Sequence, residues 1–423
     1  MRSRRSTGAI FWGLTLTAIG ALLLLRNFGY PIPIWGYVAR YWPALLIGWG
    51  VLKIVDYYRL RNAGDNQPLF SGWEVALLIF VIFAGTAVTT AANISSDLGN
   101  IFEIGDIDLW DITGNNFTFD EHREAPVPSG SNIEIVNFYG NVDVRPSDSD
   151  RVVLDVKKTL RASNKEEAER LSKDFTFSIS NIGSGYRIAS NRESGVEFGG
   201  IPRQRYKSSL TIQVPKRSAL RLNNRNGKVS IQAVDGTQEV SNRYGQVDVH
   251  NITGTVQVEN RNGSVTVQDV TESVRIQNRF SVTAVKSIGG NLDVENRNGS
   301  VDVSGVKGNV SISNSYAAIS VENVRGALTI DGRNGDLFMS LLSPPQKDIQ
   351  ISSRYGNVTL ELPSNSSFSI DAQIEFGEIH SEFQGLKTAA SNRERSLNGR
   401  VGAGGPQIMI AARNGTIHLG RKG

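Results

Sequence analysis

The middle of the chain repeats a pattern of apolar and polar positions every nine residues. From Gly227 to Gly335, each repeat carries glycine, then two aliphatic residues that alternate with variable ones. Alternation over so short a span is typical of a β-strand with one buried face. Glu272, Ser281 and Ala317 are imperfect members of the glycine series. The predicted core pairs are Val229/Ile231, Val247/Val249, Val256/Val258, Val265/Val267, Val274/Ile276, Leu292/Val294, Val301/Val303, Val310/Ile312, Ile319/Val321, Leu328/Ile330 and Leu337/Met339.

A second period of eighteen residues overlies the first. The tetrapeptide ahead of every other glycine is Asn-Arg-Asn-Gly or Asn-Arg-aromatic-Gly, as in Asn224-Arg225-Asn226-Gly227, and we call this the strong corner. Between strong corners lie soft corners, in which an aliphatic residue such as Val234 precedes a glycine by two positions. Two nine-residue strands therefore make one rung of about 18 residues. Because the third corner position alternates between Asn and an aromatic residue, a 36-residue rung is the alternative.

A single repeat cannot bury its own apolar face, so such repeats are stable only when stacked. The sequence therefore predicts an all-β soluble part folded as a right-handed parallel β-solenoid, with residues 223–423 as the repeat domain. Residues 131–222 are predicted to form a first rung and a cap with a short helix at 164–173. Insertions at Ser343-Pro344-Pro345 and at 399–405 are expected to bulge from corners without breaking the stack.

The first hundred residues have a different, apolar composition. Segments at about 7–25, 38–55 and 73–94 are long enough to predict three membrane-spanning helices within a membrane region at 1–94. A cleaved signal peptide is the alternative for the first segment, but the run is long and no small-residue cleavage pattern follows it. Residues 95–130 are then a stalk or lead-in to the folded domain.

Charge sets the expected orientation of these spans. Residues 1–72 hold eight Lys and Arg residues against two acids, clustered before the first span and after the second. The positive-inside rule then places the N-terminus in the bacterial cytoplasm and the C-terminal domain in the periplasm or outside the cell. Residues 73–423 carry 37 basic against 39 acidic residues, so the high isoelectric point belongs to the membrane region. That balance argues against a nucleic-acid partner.

Motifs for catalysis and cofactor binding are missing from the sequence. Cysteine is absent, the four histidines lie in unlike contexts, and the nonapeptide period lacks the repeated aspartates of calcium-binding β-rolls. We therefore expect no catalytic residue, no cofactor, no metal and no enzyme. The alternative is a carbohydrate-active β-helix enzyme, a lyase or hydrolase acting on envelope polysaccharide, for which Asp293 and Asp302 are the nearest candidate acid pair.

Two family resemblances follow from specific runs of residues. Arg26-Asn27-Phe28-Gly29 and Tyr41-Trp42-Pro43-Ala44-Leu45-Leu46-Ile47-Gly48 resemble the transmembrane hairpin of the Lia-type (LiaI/LiaF-like) envelope-stress proteins. The G-x-V-x-V repeats, preceded by Ile212-Gln213-Val214-Pro215, resemble the bacterial "putative adhesin" (GIN-like) β-solenoid domain family over roughly 130–420. These resemblances imply adhesion or envelope-stress signalling through membrane partners.

The strong corners supply the candidate interaction features. Their first position predicts a stacked asparagine ladder, and their third position holds aromatics that we expect to fill space across an intervening Asn. Their second position forms an arginine row whose members lie about 4.8 Å apart on an eighteen-residue rung. The row, and the only candidate ligand or partner site, is Arg225, Arg243, Arg261, Arg279, Arg297, Arg333 and Arg354.

Such a row repels itself by on the order of 1 kcal/mol per neighbouring pair in water. One interpretation is structural, with stacked guanidinium planes bonded to corner carbonyls, and Glu259 and Glu295 as local counter-charges. The other is that the row binds an anionic envelope polymer or an acidic partner. The sequence thus predicts an extracytoplasmic binding or scaffold protein with the lipid bilayer as one partner. It leaves other membrane proteins and a second copy of the chain open as further partners.

Overall fold

The computed structural model describes residues 115–192 and 206–422, together with Thr17 and Gly50. The predicted spans at 7–25, 38–55 and 73–94 otherwise lie outside the described residues. Over the part that is described, no helix is long and apolar enough to cross a membrane. The chain divides into two compact units, and the fold below is that of the unit formed by 117–161 and 165–423.

The described residues are almost entirely β-structure, joined in one 27-stranded sheet, with a helix α1 at Lys165–Asp174. The strands are β1 (Asn115–Pro126), β2 (Asn132–Tyr139), β3 (Val142–Ser147), β4 (Arg151–Ala162), β5 (Phe177–Asn181), β6 (Tyr186–Ser190), β7 (Tyr206–Pro215), β8 (Ala219–Asn226), β9 (Val229–Gln232), β10 (Gln238–Tyr244), β11 (Val247–Ile252), β12 (Val256–Asn262), β13 (Val265–Val270), β14 (Val274–Phe280), β15 (Thr283–Ile288), β16 (Leu292–Asn298), β17 (Val301–Val306), β18 (Val310–Tyr316), β19 (Ile319–Val324), β20 (Leu328–Asn334), β21 (Leu337–Ser340), β22 (Ile349–Tyr355), β23 (Val358–Pro363), β24 (Phe368–Ser381), β25 (Lys387–Ala390), β26 (Arg395–Val401) and β27 (Gln407–Lys422).

Strands two apart in the chain pair in parallel and build the solenoid rung by rung. Asn242 aligns with Asn260 and Val247 with Val265, so neighbouring rungs are offset by eighteen residues. The eighteen-residue rung is confirmed, and the 36-residue alternative is wrong.

The stacked strands form two sides of the solenoid. Even-numbered strands from β2 to β22, except β4 and β6, form one side, which we call face A. Odd-numbered strands from β3 to β23 form the other side, face B, with β5 and β7 excepted. The right-handed winding stays a prediction.

The core lies between the two faces. Every predicted core pair is buried, with each side chain 3% exposed or less. The aliphatic residues of the soft corners are buried as well, from Val234 at 0% to Val324 at 9%. Burying one such side chain contributes about 1.5–3 kcal/mol, which explains why the alternating pattern fixes the register so firmly.

The insertion between the first and second rungs covers the N-terminal end of the stack. β2 and β3 align with β8 and β9, as the sequence predicts, while β6 pairs with β2 and β7 with β3. A buried lysine ties the cap together. The Nζ atom of Lys158 donates to the carbonyl oxygens of Ser172 (2.8 Å) and Phe175 (2.7 Å), and lies 2.9 Å from a carboxylate oxygen of Glu121.

The C-terminal end departs from sequence order. The Ser343-Pro344-Pro345 insertion does bulge, since Leu328 aligns with Ile349 across an offset of 21 residues and pairing continues. Beyond it, however, β22 pairs with β27, and β24 lies outside β27. The insertion at 399–405 is only partly a loop, because residues 399–401 belong to β26, which pairs antiparallel with β24, and residues 402–405 form the turn that follows. The long strand β27 spans both faces, so it completes the next rung alone.

Candidate functional site

The first residue of each strong corner forms a buried asparagine ladder. Asn224, Asn242, Asn260, Asn278, Asn296 and Asn314 are 2–6% exposed. In the ladder, the Nδ2 atom of Asn260 donates to the carbonyl oxygen of Gly263 in its own rung (2.9 Å) and to that of Gly245 in the preceding rung (3.2 Å). The same two bonds recur from Asn242 to Asn314. The predicted ladder is confirmed, and it occupies the corner carbonyls.

The second residue of each strong corner is an arginine that points away from this ladder. By strand register, the predicted row members from Arg225 to Arg354 lie side by side on successive rungs, interrupted only by Ser315. Arg225 is half-buried and the other six are exposed. None of the seven forms a hydrogen bond through its guanidinium or an ion pair within 115–192 and 206–422. The expected bonds to corner carbonyls are therefore absent.

The expected local counter-charges are absent as well. Although Glu259 and Glu295 lie two residues before row arginines, neither forms an ion pair with them. The carboxylate of Glu295 instead accepts a hydrogen bond from Nε2 of Gln277 at 3.1 Å. One row member has an aromatic neighbour, since the guanidinium of Arg243 lies 5.4 Å from the ring centre of Tyr244. The row is thus a line of cations without carboxylate partners.

The structure adds Arg413 to the arginine row, although the order of the chain did not predict its position there. Arg413 on β27 aligns with Arg354 because Ala412 and Asn414 align with Ser353 and Tyr355. Its Nε atom lies 3.2 Å from a carboxylate oxygen of Glu375, which occupies the same position on β24. The corner Ala412-Arg413-Asn414-Gly415 carried the signal, but its rung could not be placed from the chain order.

A shallow groove of about 740 Å³ runs along the row. Guanidinium, amide and hydroxyl groups line it, together with two carboxylates. The lining residues are Asn224, Arg225, Ser241, Asn242, Arg243, Glu259, Asn260, Arg261, Gln277, Asn278, Arg279, Glu295, Asn296, Arg297, Ser313 and Ser315. Planar guanidinium groups pair bidentately with carboxylate and phosphate, so the groove is suited to a linear anion.

The third residue of each strong corner alternates between Asn and an aromatic side chain. We expected these rings to fill space between rungs. Instead, Phe280, Tyr316, Tyr355 and Phe376 are 39–50% exposed. These four rings therefore lie at the surface beside the arginine row with half or more of their area covered, and the space-filling interpretation stays a prediction.

Other candidate chemistry is not brought together. Asp293 lies on face A and pairs with Arg275 at 3.2 Å, whereas Asp302 lies on face B and accepts a hydrogen bond from Ser300 at 3.4 Å. The two acids of the candidate pair therefore lie on opposite faces of the solenoid. Within 115–192 and 206–422, no group of three or more His, Asp or Glu residues could hold a metal ion.

Comparison with known proteins agrees with both resemblances. Residues 131–420 match the model of the Toastrack DUF4097 family, and residues 10–54 match the LiaI-LiaF-like transmembrane region. No curated protein matches the chain.

Three solved structures are similar to part of the chain. A "putative cell adhesion protein" from Clostridium sporogenes ATCC 15579 is 9% identical and covers 72% of this chain and 100% of its own, with a TM-score of 0.20. A "putative adhesin" from Bacteroides fragilis NCTC 9343 is 12% identical over 72% and 97%, with a TM-score of 0.28. A "putative lipid binding protein" from Parabacteroides distasonis ATCC 8503 is 14% identical over 71% and 96%, with a TM-score of 0.33. Likenesses of this strength assign no function.

Proposed function

Since the chain belongs to the Toastrack DUF4097 family and carries a LiaI-LiaF-like transmembrane region, we propose that this membrane-associated envelope protein is a binding scaffold. Its solenoid lies on the extracytoplasmic side of the membrane and holds an anionic envelope polymer along the arginine row. It acts through binding and not through catalysis.

The extracytoplasmic orientation is supported by the charge pattern of the first hundred residues. Basic residues flank the first span on its N-terminal side and the second on its C-terminal side, and three spans carry the solenoid across the membrane. Reporter fusions after Gly64 are expected to behave as cytoplasmic, and fusions after Asn132 as exported. If both reporters lie on the same side of the membrane, the predicted third span and this orientation are wrong.

The observation that carries the proposal is the lack of partners for the arginine row. Exposed guanidinium groups about 4.8 Å apart cost free energy through mutual repulsion, and neither carboxylates nor corner carbonyls offset that cost here. An anion laid along the row would offset it, and each charge-assisted hydrogen bond contributes about 1.5–3 kcal/mol. Spacing at one cation per rung favours an extended polymer over a single small anion.

The test compares two triple variants of the full-length protein in lipid nanodiscs. Arg243→Gln, Arg261→Gln and Arg279→Gln remove three unpaired charges from the row. The control, Arg221→Gln, Arg275→Gln and Lys286→Gln, removes the same charge elsewhere, including two arginines already paired with Glu239 and Asp293. Binding to cell-wall material, with and without prior protease treatment, is measured at low and high salt.

The row variant is expected to lose salt-sensitive binding by about tenfold or more, while its melting temperature stays within a few degrees of the parent. The control is expected to keep most of its binding. Equal loss of binding in both variants would mean that binding depends only on the net charge of the protein, and it would overturn the proposal. Binding that protease treatment abolishes would identify an acidic protein as the partner instead of a polymer.

A carbohydrate-active enzyme is the competing function, and the same material tests it. Wall material incubated with the parent protein is expected to release no soluble saccharide beyond the level of a heat-treated sample. Release that depends on the folded protein would replace the scaffold proposal with the enzyme.

A further inference from the structure

The third corner position forms a continuous column along the whole array. We call it the corner column. In spatial order, by strand register, its members are Tyr139, Asn226, Tyr244, Asn262, Phe280, Asn298, Tyr316, Asn334, Tyr355, Asn414 and Phe376. Aromatic rings and amides alternate without exception.

The alternation holds in space where it fails in sequence. In chain order the corner of Phe376 follows that of Tyr355, which would set two aromatic residues side by side. The insertion of β27 between β22 and β24 places Asn414 between them and restores the alternation. At the other end, Tyr139 and Asn226 are neighbours although they lie 87 positions apart in the chain. Duplication of a 36-residue unit does not explain the order at the C-terminal junction, so the alternation there is a property of the folded surface.

Packing does not explain the alternation either. Aromatic side chains stack well at the spacing of one strand, so a purely structural column tolerates a ring on every rung. Here the rings lie two rungs apart, about 9.6 Å, and four of them are 39–50% exposed. They present flat apolar surfaces to solvent at a fixed repeat.

The asparagines between the rings are equally unused. Asn226, Asn262, Asn298, Asn334 and Asn414 are at least partly exposed, and their side-chain amides form no hydrogen bond with the described residues. The ladder asparagines two residues earlier are the opposite, since they are buried and bonded to corner carbonyls. Each free amide offers two donors and an acceptor.

We propose that the corner column and the arginine row together bind an extended, β-linked acidic polysaccharide. Sugar rings stack on the aromatics, hydroxyl groups bond to the intervening amides, and the carboxylates of the glycan pair with the guanidinium groups. In an extended β-linked glycan each sugar is turned over relative to the last, so the same ring face recurs at every second sugar. A column that alternates ring and amide matches that repeat. The inference rests on the arginine row of the proposed function and names its ligand class.

The alternation favours a glycan over two other anionic surfaces. A lipid membrane is fluid and has no repeat to match, and its docking favours a continuous apolar patch rather than rings separated by amides. Single-stranded nucleic acid also stacks on aromatics, but residues 73–423 carry 37 basic against 39 acidic residues, whereas nucleic-acid binding domains are strongly basic.

The test uses full-length protein in nanodiscs and removes the rings while keeping apolar volume. The column variant is Tyr244→Leu, Phe280→Leu and Tyr316→Leu. Its control is Ile182→Ser with Leu342→Ser, which removes apolar side chains that are 47% and 62% exposed and lie outside the column. The probes are β-linked polymannuronate oligomers, long-chain polyphosphate, a neutral β-linked glucan, single-stranded DNA and vesicles of anionic lipid.

The column variant is expected to bind polymannuronate about tenfold or more weakly than the parent and to bind polyphosphate as the parent does. The arginine-row variant is expected to lose both anions, and the control neither. Unchanged polymannuronate binding by the column variant would overturn this inference while leaving the proposed function intact. Unchanged polyphosphate and polymannuronate binding by the arginine-row variant would overturn the proposed function itself.

Ring-dependent binding to the vesicles or to DNA that exceeds binding to polymannuronate would replace the glycan by that ligand. Thermal unfolding of each variant accompanies every titration. If the leucine variant unfolds below the parent by more than a few degrees, Phe280→Leu alone is used, with the same two outcomes on polymannuronate and an expected loss of about threefold.

Discussion

Faces A and B enclose one core but carry opposite charge on their outer sides. On face A, together with the part of β27 that pairs with β22, the outward arginines outnumber the acids. The arginines are Arg221, Arg225, Arg243, Arg261, Arg275, Arg279, Arg297, Arg333, Arg354 and Arg413, and the acids are Glu134, Glu239, Glu259, Asp293, Glu295 and Asp331. On face B, including the residue ahead of each strand, the acids outnumber the bases. The acids are Asp143, Asp248, Asp269, Asp302, Glu322, Asp336 and Glu361, and the bases are Arg145, Lys228 and Lys286.

Because the two faces differ, the net charge of the domain does not indicate which charge a ligand meets at either face. Residues 73–423 are close to neutral as a whole, yet a ligand at face A meets an excess of guanidinium groups within a screening length of about 10 Å. On face B, by contrast, the 6%-exposed Asp248 is held by Lys228 at 2.7 Å and by Gln246. Charge is thus neutralised internally where it is buried on face B and left available on face A.

The strong and soft corners, which join the two faces, differ in backbone conformation. At strong corners the backbone angle φ is near 130°, as at Gly263, where a Cβ atom would press against the carbonyl oxygen of Gly245. At soft corners non-glycine residues such as Asn251 and Asp269 have φ of 57°, which is the left-handed region that Asn and Asp tolerate. The soft-corner glycines Gly236 and Gly254 have φ of 126° and 146°, so the soft corner adds a left-handed residue and keeps the glycine conformation.

The largest expected effect tests whether inward and outward positions are assigned correctly. Val267 is fully buried between rungs of face B, so Val267→Asp places an unpaired carboxylate in the core and is expected to cost several kcal/mol of unfolding free energy. Thr266→Asp on the outer side is expected to change stability by less than about 0.5 kcal/mol. Urea unfolding of both variants measures the difference, and equal sensitivity would contradict the alternation.

A smaller effect sharpens the comparison of corners. Ser281 and Ala317 replace glycine at strong corners with φ of 100° and 103°, outside the range that side chains favour. Ser281→Gly is expected to stabilise the protein by about 1 kcal/mol, because it removes this strain. Asp269→Gly at a soft corner is the matched control and is expected to change stability by only a few tenths of a kcal/mol. A loss of stability in Ser281→Gly would mean that the corner is not strained.

The smallest effect lies in the N-terminal cap, where β1 pairs with β4. Hydrogen bonds from the His122 ring to Asp155 at 2.7 Å and to Glu124 at 3.1 Å raise the pKa of His122 above 6.5. A raised pKa in the folded state means that this contact stabilises β1 fully below pH 6.5 and loses that contribution as pH rises through the folded-state pKa. An NMR titration of His122 should show a midpoint above 6.5 that falls in Asp155→Asn.

The periodicity of the sequence was sufficient to predict most of the repeat array, because buried positions recur at a strict interval. The core pairs, the rung length and the asparagine ladder all follow from patterns that each rung repeats. Helix α1 follows from a local signal, the acidic residues in its first turn and the lysine in its last. The C-terminal order could not be predicted, because the pairing of β22 with β27 joins residues 59 positions apart and leaves no local pattern. The exposure of Phe280 and the absence of a carboxylate partner for Arg261 depend on side-chain positions at the corner, which alternation does not determine.

The position of β27 has a consequence for biosynthesis. Strand β24 leaves the ribosome before β27, yet its place in the finished array lies beyond β27. Until β27 has been synthesised, β22 and β23 lack their partner in the next rung, and β24 has β26 as its antiparallel partner. A nascent chain stalled before Gln407 exposes two unpaired strand edges to neighbouring chains. The C-terminal end of the stack can therefore be completed only after the chain from Gln407 to Lys422 has been synthesised.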